Sequence, residues 1–177
     1  MPLIHTVSPA QAEGQVKEIY DQVAAAFGNV PAAMQIYSAS PVHLAAHWHS
    51  IGYYMQHPKL SFALLAMVRM LVSINTHCEY CVGFNEGLLI NHAGFTPEQI
   101  AASKTNPAQA PLPAKDVAML LFVLKATRNS MSTTAADINA LRDHGWTDGD
   151  ILDALSHGAQ MLAGDTILNA FKVERDF

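Results

Sequence analysis

Both cysteines of this chain fall within six residues, Thr76-His77-Cys78-Glu79-Tyr80-Cys81. Two thiols at that spacing can close a reversible disulfide, supply half of a metal site, or pack as small hydrophobes. Thr76 and Glu79 have the separation of a capping box, so the sequence predicts a helix with Thr76 as N-cap and Glu79 at its third position. Cys78 then falls in the first turn and Cys81 one turn later on the same face, where residues three apart are neighbours. The spacing therefore permits a dithiol–disulfide couple. Unpaired backbone N–H groups and the helix dipole at that end favour a thiolate at Cys78. His77 adds to this when protonated, and Glu79 opposes it. A zinc site built on these thiols lacks a second CxxC to complete it, and no metal is expected.

Other side chains could do chemistry at longer range. His43 and His47 stand four apart on one helix face, with His49 pointing away. Such a pair holds a metal only with further ligands, which His77, His92 or Asp165 would have to bring from elsewhere in the fold. Either histidine could instead serve as a base for the thiols. His157 and Asp165 interrupt the apolar face of the last helical segment and read as hydrogen-bonded core or interface groups. Tyr80, with Trp48, Tyr53 and Tyr54, could line a pocket, although core packing accounts for most helical aromatics.

The elements that must position these residues are helical from end to end. Ser8-Pro9 opens a segment in which Val16, Ile19, Tyr20, Val23 and Phe27 share a face. Ser40-Pro41 opens the next, and Pro58 precedes an apolar run from Leu60. Thr96-Pro97-Glu98-Gln99 combines a capping box with proline at the first helical position. Thr133 or Thr134 caps a short helix ending near Gly145, and Thr147 begins a long final one. No alternating β-branched segments with hairpin turns occur. The expectation is a single all-α domain over residues 1–177. A larger N-terminal portion, residues 1–104, carries the CxxC helix; a proline-rich linker, 105–114, separates it from a C-terminal helical portion, 115–177.

Composition excludes several classes. The net charge is −5 and half the residues are apolar, with no Lys/Arg cluster to follow a phosphate backbone, so nucleic acid is not an expected partner. The most apolar run, Leu60 to Ile74, contains Arg69 and is shorter than the ~20 residues a membrane span needs. The opening stretch to Gly14 has no basic segment followed by a long apolar run, so a cytoplasmic address is expected. There a lone CxxC points to catalysis or metal binding rather than a structural staple.

Three stretches together resemble the carboxymuconolactone decarboxylase superfamily, in its alkyl hydroperoxidase D-like, peroxidase-related branch: GQVKEIYDQVAAAFGNVPAAMQIYSASP, KLSFALLAMVRMLVSINTHCEYCVGFNEG and ALRDHGWTDGDILDAL…AGDTILNAFKVERDF. The most specific piece is LVSINTHCEYC. The resemblance implies an alkyl hydroperoxidase D-like helical bundle that assembles as a homodimer, trimer or hexamer. It also implies Cys78 and Cys81 as a redox-active disulfide with no other cofactor, a peroxide or other small oxidant as substrate, and a dithiol protein or lipoyl carrier as reductant.

Peroxidase members of the family place a Glu twelve residues before the first Cys and a His four after the second, as a proton relay. Those positions here hold Ala66 and Asn85. Asn85 can hydrogen-bond but cannot carry a proton near neutral pH, so its expected role is positioning, and turnover with simple hydroperoxides should be weak. The family attacks with its second thiol whereas helix electrostatics favour Cys78, which leaves the attacking thiol open. The alternatives are a small-molecule-binding oligomer that keeps the fold without peroxidase chemistry, and a carboxymuconolactone decarboxylase-like enzyme.

Overall fold

The computed structural model describes residues 2–177, and every regular element among them is helical. In chain order these are α1 (Gly14–Phe27), α2 (Ala32–Gln35), α3 (Pro41–Met55), α4 (Phe62–Asn75), α5 (Glu79–Asn91), α6 (Pro97–Thr105), α7 (Ala114–Arg128), α8 (Ala135–Asp143) and α9 (Asp148–Ala170). The chain forms two compact units. One runs to Gln56 and includes Ile167–Phe177; the other is His57–Thr166. The proline-rich stretch 105–114 lies inside the second unit and contains a 3-10 turn, Pro107–Gln109. No helix of the described residues is long and apolar enough to cross a membrane.

In the first unit, α1 buries the stripe Val16, Ile19, Tyr20 and Val23 and packs on α3. Gly28 ends α1 at φ 83°, a left-handed conformation that glycine adopts without steric cost. Trp48 of α3 donates its indole N–H to Gln22 of α1 at 2.7 Å. The segment before α1 is tied down by the Tyr20 hydroxyl, which donates to the Val7 carbonyl at 2.9 Å, and by Ser38 Oγ, which accepts from the Val7 N–H at 2.8 Å.

The second unit is built around α4. Leu64, Leu65, Ala66, Met67, Val68, Met70, Leu71, Val72 and Ser73 are all buried, so this helix is covered on every side, as an all-round apolar sequence requires. Its start is fixed by Ser61, whose Oγ accepts from the Leu64 N–H at 3.1 Å. Helices α5 and α7 pack against it. A capping box begins α6 (Thr96 with Gln99), as the sequence predicts, and Thr134, one of two expected caps, begins α8 in a box with Asp137. A third pairs Thr147 with Asp150 at the start of α9. Helix α9 comes very close to α7 at Gly158, where an added Cβ would lie 2.5 Å from Val123 Cγ1 and 3.2 Å from Thr127 Cγ2. Leu162 and Asp165 follow Gly158 at four and seven residues and so share its face.

One expected boundary is corrected. Thr76 does not cap α5; it follows the last residue of α4. His77 then takes φ 55°, the chain turns, and Cys78 is the N-cap of a helix whose first residue is Glu79. The Thr76 hydroxyl reaches back, 3.1 Å from the Ser73 carbonyl, which removes it from the capping role that the Thr-x-x-Glu spacing suggested. With only three residues between α4 and α5, the turn needs the left-handed residue that ends one helix before the other can start.

Candidate functional site

The turn between α4 and α5 places both thiols in the interior of the second unit. Cys78 is 1% exposed and Cys81 3%. Their Sγ atoms stand 2.6 Å apart and both cysteines are free thiols. As N-cap, Cys78 uses its sulfur where Ser or Asp would use an oxygen: Sγ accepts from the Cys81 N–H at 3.4 Å. The Cys78 N–H donates to the Ser73 carbonyl at 3.0 Å, which fixes the turn to the end of α4.

The two thiols are electrostatically unequal. The Cys81 S–H bond holds the Cys78 thiol below its usual range, helped by the Cys81 N–H and opposed by burial and by Asp165. The same bond pushes the Cys81 thiol well above its usual range, and burial and Asp165 push it further. Both shifts make Cys78 the more acidic thiol of the pair, and it is the one placed at the start of α5.

Asp165 reaches the pair from α9 and is fully buried. Its Oδ1 accepts from Ser73 Oγ at 2.9 Å and its Oδ2 lies 2.5 Å from Thr76 Oγ1. The two sulfurs and a carboxylate oxygen of Asp165 all lie within 4.8 Å of one another. Three such donors could approach a metal. Two thiolates on one tetrahedral zinc are about 3.7 Å apart, given Zn–S bonds near 2.3 Å, so the 2.6 Å pair would have to open by about 1 Å. The geometry as it stands fits a dithiol better than a metal centre.

At the position where the resemblance implies a relay His, Asn85 is 2% exposed and bonded at both ends of its amide. Its Nδ2 donates to the Cys81 carbonyl at 2.8 Å, and its Oδ1 accepts from Arg69 Nε at 2.6 Å. Arg69 Nη1 faces His157 Nε2 at 3.2 Å. Burial, with Arg69 adding to it, holds His157 down to about 3, so its ring is neutral and accepts from Arg69. Burial brings Arg69 itself down to about 10, which leaves it charged at neutral pH. The chain Cys81 carbonyl–Asn85–Arg69–His157 therefore anchors the first turn of α5 to α4 and α9. Ala66, where the resemblance implies a relay Glu, is a buried residue of α4.

The remaining sequence candidates make contacts of other kinds. His77 is exposed in the turn. Tyr80 is buried, with its ring parallel to Phe84 at 6.2 Å. His43 and His47 belong to the first unit, where both rings pack on Tyr37, at 5.2 Å and 4.1 Å. Burial and then His43 lower His47 to about 4. Ser73 and Arg69 are absent from the sequence-derived site, Thr76 enters it only as a helix cap, and Asp165 reads there as a hydrogen-bonded core or interface group or a further metal ligand, not as a neighbour of the thiols. The available signal was polar residues inside apolar helical faces, Arg69 in the run from Leu60 and Asp165 in the last helix, each of which needs a buried partner.

No protein-family profile matches the chain, and no curated protein sequence does. Solved structures do. One is an alkylhydroperoxidase AhpD core, an uncharacterized peroxidase-related protein from Ralstonia eutropha JMP134: TM-score 0.86, 22% identity, covering 99% of this chain and 92% of that one. A second is an uncharacterized peroxidase-related protein from Silicibacter sp. TM1040: TM-score 0.83, 24% identity, 99% and 94% covered. A protein of unknown function from Agrobacterium tumefaciens gives TM-score 0.65 at 18% identity, over 80% and 95%. The fold is that of the AhpD-like helical proteins.

Proposed function

We propose that this protein is a dithiol oxidoreductase of the alkyl hydroperoxidase D type, in which Cys78 attacks a hydroperoxide and Cys81 resolves the product. The observation that carries this reading is the sulfur pair itself: two free thiols 2.6 Å apart at a helix start. In the first step the Cys78 thiolate attacks the terminal peroxide oxygen. The O–O bond breaks, the alkoxide leaves and is protonated to the alcohol, and Cys78 becomes a sulfenic acid. In the second, the Cys81 sulfur attacks Cys78, the S–S bond forms, the S–O bond breaks, and hydroxide leaves with the Cys81 proton as water. A dithiol reductant then returns two electrons by exchange through a mixed disulfide. The chain is expected to work as a homo-oligomer.

The choice of Cys78 as attacking thiol differs from the family pattern and draws on its place as N-cap of α5, where its sulfur accepts from the Cys81 N–H and its thiol is the more acidic of the two. The test is peroxide consumption, with a small dithiol as reductant, by wild type, Cys78→Ser and Cys81→Ser. Loss of the first turnover in Cys78→Ser, with a single sulfenic acid formed in Cys81→Ser, supports the assignment. The reverse pattern refutes it. A second reading, a small-molecule-binding oligomer without redox turnover, draws on Asn85 and Ala66 standing where the relay would be. It predicts native thiols that consume no peroxide.

A further inference from the structure

We infer that Asp165 is the acid–base group of the Cys78/Cys81 pair, supplied from α9 rather than from α4 or α5, and that Thr76 links it to a solvent-open pocket. The inference rests on the redox reading above and assigns the proton-transfer step that Ala66 and Asn85 cannot perform.

Placement supports this first. A fully buried carboxylate oxygen lies within 4.8 Å of both sulfurs. No ion pair to Asp165 occurs among the described residues; the groups facing it are the hydroxyls of Ser73 and Thr76 and the thiols of Cys78 and Cys81.

Hydrogen-bond geometry around Oδ2 supports it independently. Thr76 Oγ1 stands 2.5 Å from Asp165 Oδ2 and 3.1 Å from the Ser73 carbonyl. A hydroxyl has one proton and cannot donate along both directions at once. With Asp165 ionised, Thr76 donates to Oδ2. With Asp165 protonated, Oδ2 donates to Thr76 and Thr76 donates to the Ser73 carbonyl. Both protonation states are fully bonded with no heavy atom displaced, while Ser73 Oγ keeps its bond to Oδ1 in each.

Thr76 also provides the exit. It lines a pocket of about 270 Å³ with Val72, Asn75, Thr127, Arg128 and Leu162. Asn75 and Arg128 are at least partly exposed, so the pocket opens to water. Arg128 is the charged group on that side, contributed by α7. The path from thiol to solvent is Cys81, Asp165, Thr76, pocket water.

In the resolving step the Cys81 S–H proton passes to the Asp165 carboxylate and the new thiolate attacks the Cys78 sulfenic acid. The S–S bond forms as the S–O bond breaks, the proton on Asp165 leaves through Thr76 to pocket water, and the departing hydroxide takes up a proton from water, so no net proton is gained or lost. The peroxide named above is the only oxidant used.

The experiment compares wild type with Asp165→Asn, Asp165→Glu and Thr76→Val. Cys78 sulfenic acid is trapped with dimedone, and disulfide closure is followed by acid quench and mass analysis across pH. In Asp165→Asn the two steps should move in opposite directions: Cys78 oxidation as fast as wild type or faster, because a negative neighbour is gone, and closure slower by about 100-fold or more. The pH dependence of closure should flatten, and Asp165→Glu should recover some of the rate. Wild-type closure in Asp165→Asn overturns the inference. So does slow closure that keeps the wild-type pH profile and is not relieved by Asp165→Glu, which marks a packing role. If Asp165→Asn does not fold, the decision passes to Thr76→Val, where slower closure is required and a wild-type rate overturns the account. Wild type that forms no disulfide with any peroxide sinks the redox reading itself.

Discussion

Replacing Cys81 by alanine should raise the pKa of Cys78, and the structure sets the size of the change. Cys78 Sγ has two contacts with Cys81 that lower its pKa, the sulfur at 2.6 Å and the backbone N–H at 3.4 Å. Alanine removes the first and keeps the second, because the helix start is unaltered. A hydrogen bond to a charged group contributes about 1.5–3 kcal/mol, and one pKa unit corresponds to about 1.4 kcal/mol. A thiol is a weak donor, so the lower end applies and Cys78 should shift upward by about 1 unit. Since only the thiolate reacts, iodoacetamide should modify Cys78 about 10-fold more slowly at neutral pH. The assay is alkylation of Cys78 across pH, read by peptide mass, with Cys81→Ser as the control that keeps a donor. Alkylation of Cys81→Ala as fast as wild type, over the whole pH range, would refute the assignment of Cys78 as the stabilised thiolate.

Three further outcomes follow from the packing and the buried charges. Gly158→Ala sets a Cβ 2.5 Å from Val123 Cγ1 and should cost about 1–3 kcal/mol by urea unfolding; an unchanged midpoint would show that α9 can move away from α7. Asn85→Ala leaves Arg69 Nε buried without its acceptor and should cost about 2–3 kcal/mol by the same measurement, and Asn85→Gln restoring none of it would argue against a hydrogen-bond origin. His47, held at about 4 against an ordinary 6.5, binds fewer protons folded than unfolded in that window, so stability falls as pH drops from 6.5 to 4, by at most about 1.4 kcal/mol per unit. His47→Phe keeps the ring on Tyr37 and should flatten this stretch of the thermal-unfolding curve against pH; equal slopes in the two proteins would contradict it.

The helices were legible because their starts are written in local chemistry. Thr96 pairs with Gln99 and Thr134 with Asp137 as local spacing allows, since a capping box involves residues only three apart. Thr76 with Glu79 has the same spacing and does something else. Its hydroxyl is claimed by Ser73 and by Asp165, the latter 89 residues away, a competition that no local pattern records. The thiol pair was likewise readable from two positions in sequence, whereas its surroundings were not. Asp165 is an acidic residue in an apolar helix, and its meaning comes from where Gly158 lets α9 lie against α7. Arg69 and Asn85 are sixteen residues apart on different helices, and only the fold turns them into one hydrogen-bonded chain.

Whether Cys78 and Cys81 form one redox couple is tested most directly by intact-protein mass. Reduced protein is mixed with one equivalent of a hydroperoxide, quenched with an alkylating agent under denaturing conditions, and weighed. The account predicts loss of both thiols of each chain together, with two hydrogens missing and no alkyl group added, reversed by a dithiol. Two alkylated cysteines per chain, with the peroxide unconsumed, would contradict it.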